Sequence, residues 1–349
     1  ERQQKVKEEL YLYLLQKREE NELSQAFTAY NTRLITAPRG SMFPTAPRKM
    51  NILLVAFAVG LLVPAVIIFM KENMNTKVRG RKDLQNLSIP FIGEIPQYSG
   101  TKKKWWELKH RRRQDLKTVV VNEGNRNIIN EAFRVLRSNM DFMINKDSNQ
   151  HVFVLTSFNP GSGKSFLAIN IAMSFAIKKK KVLVIDGDLR HRTASSYVDS
   201  PDKGLSNYLN NQVENWKEII VPYKEYANLH ILPTGTVPPN PTELLESSKL
   251  ATLIAALRPE YDYIFIDCPP VDIVADAQII EKWADRTIFI VRSGLLDRSM
   301  LPELENMYTE KRFKNLSMIL NGTEGAGGRY GYRYGYHYGY ASYYGDKEK

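Results

Sequence analysis

Gly161-Ser162-Gly163-Lys164-Ser165 is the stretch of this chain best built to hold a phosphate. Glycines let the backbone approach an anion closely, and successive N–H groups can cradle it at a helix N-terminus. A lysine then supplies positive charge to the β- and γ-phosphates, and a hydroxyl such as that of Ser165 suits Mg²⁺. Gly161, Ser162, Gly163, Lys164, Ser165 and Phe166 form the candidate nucleotide-binding set. The general pattern GxxxxGK[ST] asks for glycine where this chain has Phe158, so Gly161 and Pro160 are expected to shape the turn. Two acid-bearing strand ends accompany the loop. KVLVIDGDLR reads as a strand with Asp186 and Asp188 at its C-terminal end, and YDYIFIDCPP as a hydrophobic strand ending in Asp267. Acids at such strand ends lie where ligands bind in open α/β sheets. Two acids one residue apart point to the same side of an extended segment. One could contact Mg²⁺ while the other takes a proton. The alternatives are a chance GSGKS on a surface and aspartates that merely cap turns.

These residues need a scaffold, and the surrounding pattern supplies one. HVFVLTS, KVLVIDGD, NLHILPT, YDYIFIDCPP, RTIFIVRS and LSMILNGT are apolar, β-rich runs, most of them separated by helical patterns. Continuous apolar strands alternating with helices imply a parallel sheet covered on both faces. The fold class is therefore α/β, a doubly wound parallel sheet of the P-loop type, spanning residues 123–322. The chain has 349 residues, enough for about two domains. Its only cysteine, Cys268, excludes an intrachain disulfide framework and reads as a packing residue. The five histidines show no metal-site spacing, and the formal charge of +11 permits anionic partners.

From Met50 to Met70 no residue is charged. That length covers the ~30 Å hydrocarbon core of a bilayer, and Gly60 and Pro64 are tolerated in such spans. A buried core helix is the alternative. Residues 1–49 read as a helical segment, the end of a hairpin or coiled coil, followed by an extended approach containing Pro38, Pro44 and Pro47. Because the sequence opens inside a helical pattern, it is expected to be part of a longer protein or a processed one. Residues 71–122 read as a basic linker. Within it, KKKWWELKHRRR interleaves cations with Trp105 and Trp106, which suits an anionic inner leaflet; a solvated linker or a nucleic-acid site are the alternatives. Residues 323–349 form a tail in which tyrosine takes nearly every second position.

GSGKS, VLVIDGDLR and YIFIDCPP resemble the Walker A, A′ and B motifs of the bacterial tyrosine kinases, relatives of the MinD/ParA ATPases. The first ~120 residues resemble the end of a polysaccharide co-polymerase module of the chain-length-determinant type. The resemblance implies a membrane-anchored protein-tyrosine autokinase of an inner membrane, with residues before 50 periplasmic and residues after 70 cytoplasmic. It implies ATP and Mg²⁺ as cofactors, bound through Lys164 and Ser165. Asp186 would be the base that activates a tyrosine hydroxyl, and Asp188 and Asp267 would hold the metal. Arg190 completes a DxDxR pattern. Glu131, Arg134 and Arg137 match ExxRxxR, the contact between kinase domains in a homo-oligomeric ring, an octamer in the family; a surface ion pair is the plain alternative. Tyr330, Tyr332, Tyr334, Tyr336, Tyr338, Tyr340, Tyr343 and Tyr344 match the family's phosphoacceptor cluster. A role in RNA binding or self-association is the other reading of that tail. The implied partners are a polysaccharide polymerase, an outer-membrane polysaccharide export protein, a tyrosine phosphatase and anionic lipid, with no nucleic acid. The process served is capsule or exopolysaccharide polymerisation, chain length and export. A nucleotide-binding scaffold that transfers little phosphate is the second reading, and a MinD/ParA-like switch the third. The third is disfavoured because Phe158, Asn159 and Pro160 stand where those ATPases carry an extra lysine. The stretch VPPNPTELLES, Val237 to Ser247, also matches the family, with its role open.

Overall fold

The structure, a computed structural model, describes residues 2–27, 40, 48–98, 119–125, 127–144, 151–224, 226–271 and 276–323. The tail tyrosines Tyr330 to Tyr344, the stretch Lys102–Arg113 and the three prolines before the apolar helix lie outside the described residues. The chain divides into two units, Glu1–Asn73 and Met74–Lys349.

Among its described residues the first unit holds two helices. Helix α1 (Arg2–Phe27) is rich in good helix formers and carries Lys17–Glu20 and Arg18–Glu22 ion pairs along its exposed surface. Helix α2 (Lys49–Asn73) contains Pro64 and leaves its large apolar side chains exposed, from Met50 through Phe57 and Leu61 to Met70. Its segment Lys49–Lys71 is long and apolar enough to cross a membrane by length and composition. An uncovered apolar surface of this extent is unfavourable in water and unremarkable in lipid.

The second unit is built on an eight-stranded sheet in the order β1-β8-β7-β2-β6-β3-β5-β4. Its strands are β1 (Phe91–Pro96), β2 (Val152–Thr156), β3 (Val182–Asp186), β4 (Val221–Tyr223), β5 (Tyr226–Leu232), β6 (Tyr263–Asp267), β7 (Arg286–Arg292) and β8 (Ser317–Thr323). All neighbours are parallel except β4 and β5. Helices α3 (Ile128–Met143) and α4 (Lys164–Ala176) cover one face, over a core of Phe133, Leu136, Leu167, Ile171, Phe265, Ile288 and Ile290. The other face buries Leu245, Leu253 and Ile266 against α5 (Leu205–Leu209), α6 (Pro241–Glu246), α7 (Ser248–Leu257) and α8 (Asp276–Glu281). Helix α9 (Leu301–Thr309) closes a third cluster with Phe158, Phe289 and Leu304.

The sequence reading counted six strands, and the sheet has two more. Strand β4 is a short antiparallel edge around Pro222, a residue that sheets tolerate at edges. Strand β1 lies in the stretch read as a basic linker. Ile92 and Ile95 are buried, but register shifts beside Gly93 and Pro96 break the period-two pattern that would have marked a strand. Gly93 packs closely against α3: a Cβ there would come within 3.2 Å of Leu136 Cδ1, which would have to shift to admit it. The compact unit thus begins near residue 74, with Val78, Leu84 and Ile89 buried.

Candidate active site

Strand β2 delivers the chain to the phosphate loop at the carboxyl edge of the sheet. The hydroxyls of Ser157 and Ser162 both donate to the carbonyl of Asn159 at 2.8 Å, which folds the loop on itself. Phe158, in place of the motif's glycine, sets its ring edge-on to Phe289 with centroids 4.8 Å apart, anchoring the loop to β7. Gly161 and Gly163 have φ of +77° and +91°, the left-handed region where glycine is at ease. Gly163 caps α4. A Cβ on it would also fall 2.3 Å from the side-chain amide of Asn321 at the end of β8. Asn321 Nδ2 donates to the Ser162 carbonyl at 2.8 Å. The Leu167 N–H closes the first helical bond, to Gly163. The N–H groups before it therefore remain for an anion, favoured by the helix dipole. Phe166 belongs to that turn, but its ring points away and meets Phe133 edge-on at 6.1 Å. Any contribution it makes to a ligand is through its backbone.

The three acids gather opposite. Asp186 and Asp267 end adjacent strands and are direct register partners. Period two puts both on the α4 face, in line with Val184 and Phe265 of that core. Both are essentially fully buried, while Asp188 and Lys164 are nearly so. Burial pushes the Asp186 carboxyl up to about 7, helped by the charge of Asp267 and opposed by hydrogen bonds from Ser195. Burial likewise raises Asp267 to about 6, with Lys164 working against it. Lys164 is itself lowered by burial and drawn back by Asp267 and Asp188. Asp188 Oδ1 accepts the N–H groups of Arg190 and His191, both at 3.1 Å, holding the turn after β3. Cys268 is buried with its thiol pushed well above its usual range, which makes it inert packing.

Two buried oxygens, Asp186 Oδ1 and Asp267 Oδ1, have no hydrogen-bond partner. Such orphans are rare and ask for a ligand or a proton. Carboxylate and hydroxyl oxygens are the donors a hard divalent cation takes. Among the described residues no group of three His, Cys, Asp or Glu side chains could hold a metal. That agrees with Mg²⁺, which usually binds through one or two carboxylates and completes its shell with phosphate and water. The site fits such an ion only together with a nucleotide.

Several residues that complete the site carried no motif. Thr193 Oγ1 accepts from the Ser165 hydroxyl at 2.8 Å and donates to Asp267 Oδ2 at 3.3 Å. Ser195 holds Asp186 from the same loop. Arg190 reaches Asp276 Oδ2 at 3.4 Å and Thr242 Oγ1 at 3.2 Å, and Thr242 donates to Asp276 Oδ1 at 2.8 Å. The VPPNPTELLES segment thus meets the turn after β3 through Thr242. Only Asn321 left a signal, as a polar residue near the end of an otherwise apolar run. On α3, Glu131 and Arg134 pair at 2.9 Å, and Arg134 also donates to the Asn125 carbonyl. Arg137 turns inward and donates to the Ser174 carbonyl of α4 at 2.6 Å. The three do not act as one outward group within the chain.

A parallel sheet, a glycine-shaped loop opening a helix and acids on the neighbouring strand ends define a P-loop nucleotide-binding protein. Residues 150–295 match the family described as "AAA domain", and residues 1–73 match "G-rich domain on putative tyrosine kinase". The chain is 34% identical over 215 residues to the Staphylococcus aureus protein named "Putative tyrosine-protein kinase CapB", covering 60% of this chain and 92% of CapB. It is 28% identical to the tyrosine-protein kinase ptk of Acinetobacter johnsonii, over 92% of this chain and 43% of the relative. Among solved structures, the BceF tyrosine kinase domain superposes with a TM-score of 0.60 at 30% identity, covering 70% of this chain and 99% of that one. The kinase domain of Escherichia coli tyrosine kinase ETK gives 0.60 at 27% identity, covering 74% and 100%. The chain belongs to the bacterial tyrosine-protein kinase family. It spans less than half the length of several curated relatives that it matches along most of its own length.

Proposed function

We propose that this chain is a membrane-anchored tyrosine autokinase that transfers the γ-phosphoryl group of ATP to tyrosines of its own tail. The observation that carries the reading is Asp186, a fully buried carboxylate with one unpartnered oxygen, in register with Asp267, the acid on which Lys164 acts. A carboxyl raised to about 7 can take the proton of a tyrosine hydroxyl near neutral pH, as a general base should. The tyrosine oxygen attacks the γ-phosphorus, the proton passes to Asp186, and ADP leaves. Lys164 and the loop N–H groups neutralise the charge on the transferring phosphoryl, where phosphoryl transfer has most need of the protein. Ser165, Asp188 and Asp267 would hold Mg²⁺, which supplies further charge neutralisation when bound.

The acceptors are Tyr330, Tyr332, Tyr334, Tyr336, Tyr338, Tyr340, Tyr343 and Tyr344, offered in trans within a ring. Glu131 and Arg134, on the exposed side of α3, face the neighbouring domain, and Arg137 joins them on leaving the Ser174 carbonyl. The kinase domain is cytoplasmic and residues before 50 periplasmic, on either side of α2. The cycle of phosphorylation, reversed by a phosphatase, paces capsule or exopolysaccharide polymerisation and export through a polymerase and an outer-membrane export protein. The test is incubation of the detergent-purified chain with Mg-ATP, read by mass spectrometry of the tail, with Lys164→Met and Asp186→Asn alongside. Phosphotyrosine on the tail that vanishes in Lys164→Met and falls steeply in Asp186→Asn supports the kinase. Nucleotide binding with an unmodified tail leaves a nucleotide-binding scaffold instead.

A further inference from the structure

Asp186 is held asymmetrically, and one residue is responsible. Its Oδ2 accepts two hydrogen bonds, both from Ser195: the backbone N–H at 2.6 Å and the side-chain hydroxyl at 2.5 Å. Ser195 is fully buried, and its Oγ accepts the N–H of Thr234 at 2.8 Å. That incoming bond orients the hydroxyl, so its single proton is committed to Asp186 Oδ2. Charge-assisted bonds of this kind are the strong ones. The other oxygen, Oδ1, is buried and unpartnered. The same short loop carries Thr193, which touches Ser165 and Asp267. Two hydroxyl residues two positions apart therefore tie the phosphate loop and both strand-end acids to a single turn.

We propose that Ser195 is a positioning residue that fixes the rotation of the Asp186 carboxylate and reserves Oδ1 for the tyrosine proton. The inference rests on the kinase reading above. With Oδ2 saturated by two donors, the electron density available to an arriving proton is on Oδ1. Without the hydroxyl, the carboxylate can turn about its Cβ–Cγ bond and share the remaining N–H between its two oxygens. The ground-state nucleotide complex does not require that orientation, whereas proton transfer does. A purely structural serine would act on folding or on nucleotide affinity instead.

The experiment compares wild type, Ser195→Ala, Ser195→Thr, Asp186→Asn and the Ser195→Ala/Asp186→Asn double variant, each as the full chain in detergent. Nucleotide affinity is read by fluorescence titration, and kcat and KM for Mg-ATP from tail phosphotyrosine. Ser195→Ala is expected to lower kcat by roughly 10–100-fold, the usual effect of removing such a supporting hydrogen bond. Affinity and KM for ATP should stay within about twofold, the pattern of an interaction made only in the transition state. Ser195→Thr, which keeps the hydroxyl, should recover most of kcat. Adding Ser195→Ala to Asp186→Asn should cost nothing further, because the serine acts through the carboxylate. An unchanged kcat in Ser195→Ala overturns the proposal. So does a parallel loss of ATP affinity, or a further loss in the double variant. If Ser195→Thr does not fold, the double variant decides alone. A wild-type chain that binds ATP but phosphorylates no tyrosine sinks the kinase reading before Ser195 is at issue.

Discussion

At the scale of single residues, the site is a cluster of charges that folding alone would not assemble. Asp186 and Asp267 face each other on adjacent strands in a dry environment, and only the ligand and the reaction give that arrangement a use. The raised pKa of Asp186 has a definite sign in stability. An unfolded chain loses the Asp proton near pH ~4, whereas the folded chain keeps it until about 7. The contribution to stability is thus complete below the unfolded value and is lost as pH rises through about 7. Asp186→Asn, which removes the proposed base, should therefore stabilise the nucleotide-free protein at pH 8 by on the order of 1 kcal/mol or more, roughly 2–4 °C in melting temperature. The gain should shrink toward pH 4.5; a thermal melt series across that range checks it, and a pH-independent difference would refute the assignment. The motif residues were legible because their chemistry is packed into consecutive positions: GSGKS, DGD and the Asp267 strand end. Thr193 and Ser195 were not legible, and Asn321 showed only as a polar residue in an apolar run. Their roles lie in contacts made in the folded chain, which no spacing within the sequence encodes.

At the scale of elements, two strand ends control the phosphate loop. Helix α4 begins at Gly163 because a left-handed residue is needed there and because Asn321 leaves no room for a side chain. Gly163→Ala should abolish detectable ATP binding in a titration while leaving the far-UV circular dichroism unchanged. Asn321→Ala, which removes the bond to the Ser162 carbonyl, should weaken ATP binding by about 1 kcal/mol, the net value of one hydrogen bond. The strands that form the middle of the sheet were readable as apolar runs, since burial on both faces demands continuous hydrophobicity. Strand β1 was hidden because its two buried isoleucines are three residues apart across a bulge, between basic flanks. Its membership in the core is testable through its contact with α3. Leu136→Ala, deleting a fully buried side chain beneath Gly93, should cost about 2–5 kcal/mol in urea unfolding. A loss under ~1 kcal/mol would place β1 and α3 outside the cooperative unit.

At the scale of the whole molecule, charge is the quantity that changes. The chain carries a formal +11, and its tail offers eight clustered tyrosines between Tyr330 and Tyr344. Each phosphate adds roughly −1.5 to −2, so full modification reverses the sign of the net charge. The ring proposed above is then expected to loosen, through repulsion among tails and between each tail and the acid-lined site. Light scattering on phosphorylated and phosphatase-treated protein measures this, and an unchanged mass in the two states would rule it out. A separate consequence follows from the pairing of the first strand with the last. Among the described residues strand β1 has β8 as its only neighbour in the sheet, and β8 follows it by roughly 220 residues. At ~5–20 residues per second, a ribosome takes on the order of 10–45 s to travel between them. Through that interval the nascent chain holds Ile92 and Ile95 without their strand partner, so the sheet stays unfinished until β8 has been made.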